Sequence, residues 1–176
     1  KLDFDSVSAL NDQIVYASLT GYGTEGPMAQ HPGFDQVLQS MSGIAHAQGA
    51  GAEQLTSVVG SIVDYYGGSL LAMGVSAALF NRDRTKQAQL VETSLLRAAL
   101  AMQAARLVWS EGEAKDVERD LNPGKLAGIH PTKEGFIYIQ AQTSKFWISL
   151  CDCLGLPQLT DDPRFGDMVS RKKNED

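Results

Sequence analysis

Apolar and polar positions along this chain fall into blocks of two different periods. "IVYASLTGYG" is a run of β-branched and aromatic residues that stops at a glycine turn, which predicts a buried strand. The preceding "DSVSALND" has an Asp/Ser start with Val7 and Leu10 apolar, and reads as the end of a short helix. In "FDQVLQSMSGIAHAQG" the positions Phe34, Val37, Leu38, Met41, Ile44 and Ala45 recur at helical spacing, predicting one amphipathic helix that ends at a glycine. "SLLAMGVSAALF", Ser69 to Phe80, is small or apolar on nearly every face and predicts a helix buried all round. After the charged turn "NRDRTKQA", the stretch "QLVETSLLRAALAMQAARLVWSEG" reads as a short strand and then a long Ala- and Leu-rich helix. Helices alternating with strands imply an α/β architecture.

The pattern changes at residues 111–125, "EGEAKDVERDLNPGK", which are charged and end in Asn-Pro-Gly. That shift predicts a boundary, with residues 1–115 in one domain and 116–176 forming a linker and the start of a smaller α+β domain. Beyond it, "GIHPTKEGFIYIQAQ" predicts two strands turning at Glu134-Gly135, and "SKFWISLCDCLGL" another amphipathic helix. There is no internal repeat.

Composition narrows the function classes. A chain of 176 residues with 43% hydrophobic content can bury a sizeable core. Its net charge of −6 leaves no basic field for nucleic acid, because the fifteen Lys and Arg are scattered except for Arg171, Lys172 and Lys173. Apolar runs are broken by Gly, Ser or charge within about ten residues, short of the roughly 20 that a membrane helix needs, so no membrane association is expected. Cys151 and Cys153 fit neither a zinc ribbon nor a disulfide framework and are expected to be buried thiols in a helix. The chain opens on "KLDFDSVSAL", with no initiator Met and no signal-peptide core, so it reads as a piece of something longer, cytoplasmic by default.

The candidate chemistry centres on "SIVDYYGGSL", where one acidic residue, Asp64, stands before two aromatics and two glycines. An Asp in front of a helix serves most often as an N-cap for free backbone N–H groups. The second reading is a nucleophile: Ile62, Val63, Tyr65 and Tyr66 would partly desolvate the carboxylate, and Gly67 and Gly68 would remove side chains from the first helical turn. Desolvation raises an Asp pKa and a helix N-terminus lowers it, so the two effects oppose. His31, His46 and His130 have no second ligand at i+3 or i+4, and no metal site is expected. Residues 21–33, "GYGTEGPMAQHPG", form a loop by composition at the end of the first strand, where α/β proteins usually place ligands. Its "GYGTEG" imitates a dinucleotide fingerprint, but Pro27 prolongs the loop where a helix would have to begin.

Taken together and in order, "YASLTGYGTEGP", "HPGFDQVLQSMSGI", "DYYGGSLLAMGVSAALFNRDR", "VETSLL" and "DDPRF" resemble the class III coenzyme A transferases, a family that also holds formyl-CoA transferases, carnitine CoA-transferases and 2-methylacyl-CoA racemases. The resemblance covers only the middle portion of proteins more than twice as long. It implies a Rossmann-like large domain carrying the catalytic Asp, a smaller second domain, and an interlocked homodimer. It implies that Asp64 attacks an acyl-CoA thioester and passes CoA to a carboxylic acid through an aspartyl anhydride and an aspartyl-CoA thioester. No permanently bound cofactor is implied, since the CoA thioester is itself a substrate.

The racemases carry His where Phe34 stands, and their glutamate would fall near Thr143. Phe34 can move no proton, so the resemblance favours the transferase branch, where an aromatic lines the acyl pocket. A racemase, or an acyl-CoA-binding protein without the chemistry, are the alternatives. Tyr22, Phe34, Gly67 and Gly68 are the implied substrate and CoA contacts. The family's shielding glycine loop corresponds to "NPGKLAGIHP", where only Gly124 and Gly128 remain. The turn "RDRTKQAQ" also lacks two glycines usual in the family. Because the family's CoA nucleotide pocket draws mainly on residues upstream of Lys1, the 176-residue chain alone is expected to be inactive or very weak.

Overall fold

The structure, a computed structural model, describes residues 2–49, 54–112 and 127–174. It divides into two compact units, residues 1–111 and 112–176.

In the first unit α1 (Phe4–Ser8) is capped by Asp3, whose side chain accepts from the Ser6 N–H at 2.8 Å. Strand β1 (Val15–Thr20) follows, and its Tyr16 stacks edge-on against Phe4. The chain then runs through α2 (Asp35–Met41), α3 (Ile44–Gln48) and α4 (Ile62–Thr85) before returning as β2 (Gln89–Ser94). Strands β1 and β2 pair in parallel, Val15 opposite Gln89 through to Thr20 opposite Ser94. Parallel strands need a crossover, and α4 supplies it by packing on both strands. Two paired strands make an α/β unit but do not by themselves define a Rossmann-like sheet.

The helix expected over residues 34–49 is two. Gly43 takes a left-handed φ of +86°, which ends α2 and starts α3 in a new direction. The long helix expected after β2 is also broken, into α5 (Leu95–Met102) and α6 (Ala104–Leu107). At the break the Gln103 amide donates to the Ser42 carbonyl at 2.8 Å and the Ala99 carbonyl at 3.2 Å, so it ties the end of α5 to the end of α2. Ser94 links β2 directly to α5, its hydroxyl accepting from the Arg97 N–H. Leu38, Ile44, Val63, Leu95, Ala98 and Ala99 form the buried core between these elements.

α4 is not buried all round in this chain. It turns a stripe of small residues inward: Gly67 and Ala78 are buried, and a Cβ on Gly74 would lie 2.7 Å from the Val91 side chain. Tyr65, Met73 and Phe80 are exposed. The small residues bring the helix close to the strands, and hydropathy alone does not distinguish the inner stripe from the outer one. By length and composition α4 is also apolar enough to cross a membrane, contrary to the expectation from uninterrupted runs. Gly and Ser interrupt a run of large apolar side chains without ending a helix. The packing of α4 along β1, β2 and α5 is that of a crossover helix.

The adjacent glycines Gly67 and Gly68 stand in different surroundings. A Cβ on Gly67 would meet Leu95 at 3.3 Å, Leu19 at 3.5 Å and Ala98 at 3.6 Å, whereas one on Gly68 meets nothing within 4 Å. Gly67→Val is therefore expected to destabilise the full-length protein by about 1–3 kcal/mol through overpacking. Gly68→Ala is expected to stabilise it by up to about 1 kcal/mol through helix propensity. Thermal unfolding of the two variants reads the opposite signs.

The second unit holds an antiparallel hairpin of β3 (Ala127–Thr132) and β4 (Gly135–Gln140), with Thr132 opposite Gly135. Gly135 takes a φ of +102° at the turn. Thr143 caps α7 (Ser144–Cys153), and two 3₁₀ turns, Pro157–Thr160 and Pro163–Phe165, lead to α8 (Met168–Lys173). Arg171 is buried, stacks over Trp147 and donates to the Phe165 carbonyl at 2.6 Å, so the three consecutive basic residues do not form one surface patch. Cys151 is buried beside Trp147, and burial pushes its thiol pKa up; Cys153 is exposed, so only one of the two thiols is a core residue.

Candidate active site

The site is built on a close approach of two glycines. A Cβ on Gly33 would lie 2.5 Å from the Gly21 Cα, and one on Gly21 would lie 2.7 Å from the Gly33 Cα. The loop between them leaves β1 and returns to its own base, which starts α2 beside the strand's end. Phe34 is the N-cap residue of α2, with an exposed side chain, and Asp35 is the first residue of the helix, only 2% exposed.

A helix leaves its first N–H groups without partners inside it. For α4 they are met from outside: Asp35 Oδ2 accepts from the Val63 N–H at 2.6 Å and the Asp64 N–H at 3.1 Å. Asp35 Oδ1 accepts from the Gln39 amide at 2.6 Å. Gln39, fully buried, also brackets Val58, its Oε1 accepting from the Val58 N–H at 2.8 Å and its Nε2 donating to the Val58 carbonyl at 3.3 Å. Asp35 and Gln39 were not among the residues singled out from sequence.

Asp64 is therefore not the N-cap. The helix begins at Ile62 with Ser61 as N-cap residue, and Asp64 lies within its first turn. The Asp64 side chain reaches solvent, and among the described residues its carboxylate has no hydrogen bond or ion pair. Desolvation of its base, and then the Asp35 carboxylate beside it, hold its pKa above the usual range. Of the expected apolar flanks, Val63 is buried and Ile62 partly so, while Tyr65 and Tyr66 are exposed. The arrangement leaves a basic, unpaired carboxylate on a fixed turn, able to attack an electrophilic carbonyl or to take a proton.

The remaining candidates separate. Gly67 and Gly68 lie in the second turn of α4, not the first, and the space at Gly67 is filled by Leu95 and Leu19, so only Gly68 faces open space. Tyr22 packs against the core, its hydroxyl 3.5 Å from the Met41 sulfur. Gly128 stands in β3 of the second unit, and Gly124 lies outside the described residues.

A family model described as CoA-transferase family III matches residues 1–176. The acetyl-CoA:oxalate CoA-transferase of Acetobacter aceti is 33% identical over 186 residues, covering 99% of this chain and 46% of that protein. The succinate–glutarate CoA-transferase of Agrobacterium fabrum is 27% identical, covering 97% and 43%. A crystal structure of Rv3272 from Mycobacterium tuberculosis superposes with a TM-score of 0.82 at 31% identity, over 99% of this chain and 46% of that one. The chain thus spans about half the length of the curated relatives it matches.

Proposed function

The chain belongs to CoA-transferase family III, and on that premise we propose that the full-length protein moves CoA from an acyl-CoA thioester to a carboxylic acid, with Asp64 as covalent nucleophile. The observation that carries this reading is the raised-pKa carboxylate of Asp64, without a hydrogen bond or ion pair among the described residues, on a turn whose Val63 and Asp64 N–H groups are held by Asp35.

An Asp64 oxygen attacks the thioester carbonyl; the C–O bond forms, the C–S bond breaks, and CoA thiolate leaves an aspartyl acyl anhydride. The thiolate then attacks the aspartyl carbonyl, releasing the donor acid and forming aspartyl-CoA. The acceptor carboxylate attacks that carbonyl in turn and frees the thiolate, which takes the acceptor's acyl group and restores Asp64. A carboxylate of raised pKa is the stronger nucleophile in the first step. Phe34, which precedes Asp35, and the open face of Gly68 provide an apolar wall and an approach for the thioester.

In this reading the protein is of the formyl-CoA/carnitine transferase kind, because Phe34 offers no proton where a racemase needs one. The parallel pair β1–β2 belongs to a Rossmann-like sheet, and the protein works as a homodimer, which the apolar outer face of α4 supports. The relatives named for oxalate and for succinate and glutarate make short dicarboxylic acids the first acceptors to assay. The test is CoA transfer by the full-length protein in deuterated solvent. Product acyl-CoA that forms only with an acceptor acid and carries no α-deuterium supports the proposal; α-deuteration of the donor without an acceptor overturns it in favour of a racemase.

A further inference from the structure

Asp35 is a buried carboxylate whose hydrogen-bond partners, among the described residues, include no cation. Its burial is offset by three N–H donors, one from Gln39 and two from the first turn of α4, together with the positive end of a 24-residue helix. That turn carries the Asp64 Cα. We infer that Asp35 is a positioning residue for the chemistry at Asp64, acting with Gln39 as a buried clamp that fixes the segment at residues 54–60 and the first turn of α4 in one geometry. The inference rests on the reading of Asp64 as nucleophile and extends it to two residues that touch no substrate.

The clamp does two separable things. Through its hydrogen bonds, Asp35 takes the Val63 and Asp64 N–H groups, which the Ser61 side chain leaves uncapped, and so fixes the turn that carries Asp64. Through its charge, it opposes ionisation of Asp64. α4 packs against β1, β2, α2 and α5, whose ionisable residues are Tyr16, Glu92, Asp35 and Arg97. Of these only Asp35 contributes to the shift at Asp64. Gln39 acts by geometry alone: it holds both backbone groups of Val58, six residues before the nucleophile, while the Thr56 N–H is held by the Ala45 carbonyl at 3.0 Å. The segment leading to Asp64 is thus hung from α2 and α3 and delivered to the Asp35 cap.

The test compares Asp35→Asn, Asp35→Glu, Gln39→Leu and Asp64→Asn in the full-length protein. The probe is whichever of acetyl-CoA, succinyl-CoA and formyl-CoA the wild-type protein turns over, with trapping of the labelled peptide. Asp35→Asn is expected to lower kcat roughly ten- to a hundredfold, the scale of a misplaced reactive group. Its KM for the thioester should stay within about threefold, because the residue touches no substrate. Its acid limb of kcat/KM should move to lower pH, since a like charge has gone. Gln39→Leu should lower kcat and leave that limb in place, and Asp35→Glu should recover part of the rate lost in Asp35→Asn. A folded Asp35→Asn protein with wild-type kcat, or with an unmoved acid limb, overturns the inference while Asp64 labelling stands. Where Asp35→Asn does not fold, Gln39→Leu decides, and wild-type kcat in that variant overturns the clamp. Absence of label on Asp64 in the wild-type protein removes the nucleophile reading and the inference together.

Discussion

Asp64→Asn in the full-length protein is expected to lower CoA transfer by at least about 10³-fold while leaving the fold intact, because it removes the attacking oxygen and little else. The structural half of this expectation follows from the site. The carboxylate supports no hydrogen bond among the described residues, and the Val63 and Asp64 N–H groups are held by Asp35. The sign of the stability change follows from the raised pKa. The folded state holds the Asp64 proton more tightly than the unfolded chain, so stability falls as pH rises from the ordinary Asp value of 3.8 to the raised one. Above that window the ionised group is a constant cost, and Asn relieves it. Melting temperatures should coincide at pH values below the window, and the Asn variant should be equal or higher near neutrality. A lower melting temperature for Asn near neutral pH would mean that the carboxylate caps the helix after all.

Gly33→Ala is expected to destabilise by about 3 kcal/mol, because the added Cβ meets the Gly21 Cα at 2.5 Å and neither backbone has a side chain to swing away. The strain falls where it matters for function. Gly33 lies two residues before Asp35, so parting the two backbones moves the cap of α4 and with it Asp64. Activity should therefore fall more steeply than the folded fraction at the assay temperature. A Gly33→Ala protein as stable as wild type would show that the loop base can open at no cost, and that the geometry at Asp64 does not depend on it.

The strand at residues 15–20 and the hairpin turning before Gly135 were legible because each rests on local pattern, with β-branched residues ending at glycine. The resemblance of motifs pointed to Asp64 and to the family. Helix continuity was less legible. Gly43 and Gln103 break helices whose apolar spacing runs straight through, the first by a left-handed backbone and the second by an amide that reaches a carbonyl 61 residues away. Asp35 was hidden for the same reason. An Asp in a first turn with Gln four residues on reads as an ordinary helix start, and its decisive partners lie 28 and 29 residues downstream. Gly67 and Gly68 look alike in sequence, and only the packing of Leu95 and Leu19 tells them apart.

The most direct test of the central claim is to incubate the full-length protein briefly with acyl-CoA thioesters, trap with hydroxylamine or borohydride, and map the modified residue by mass spectrometry. The account predicts modification on the peptide containing "SIVDYYGG", at Asp64, absent from Asp64→Asn. A thioester that turns over while that peptide stays unmodified, or an Asp64→Asn protein that keeps its transfer activity, would contradict it.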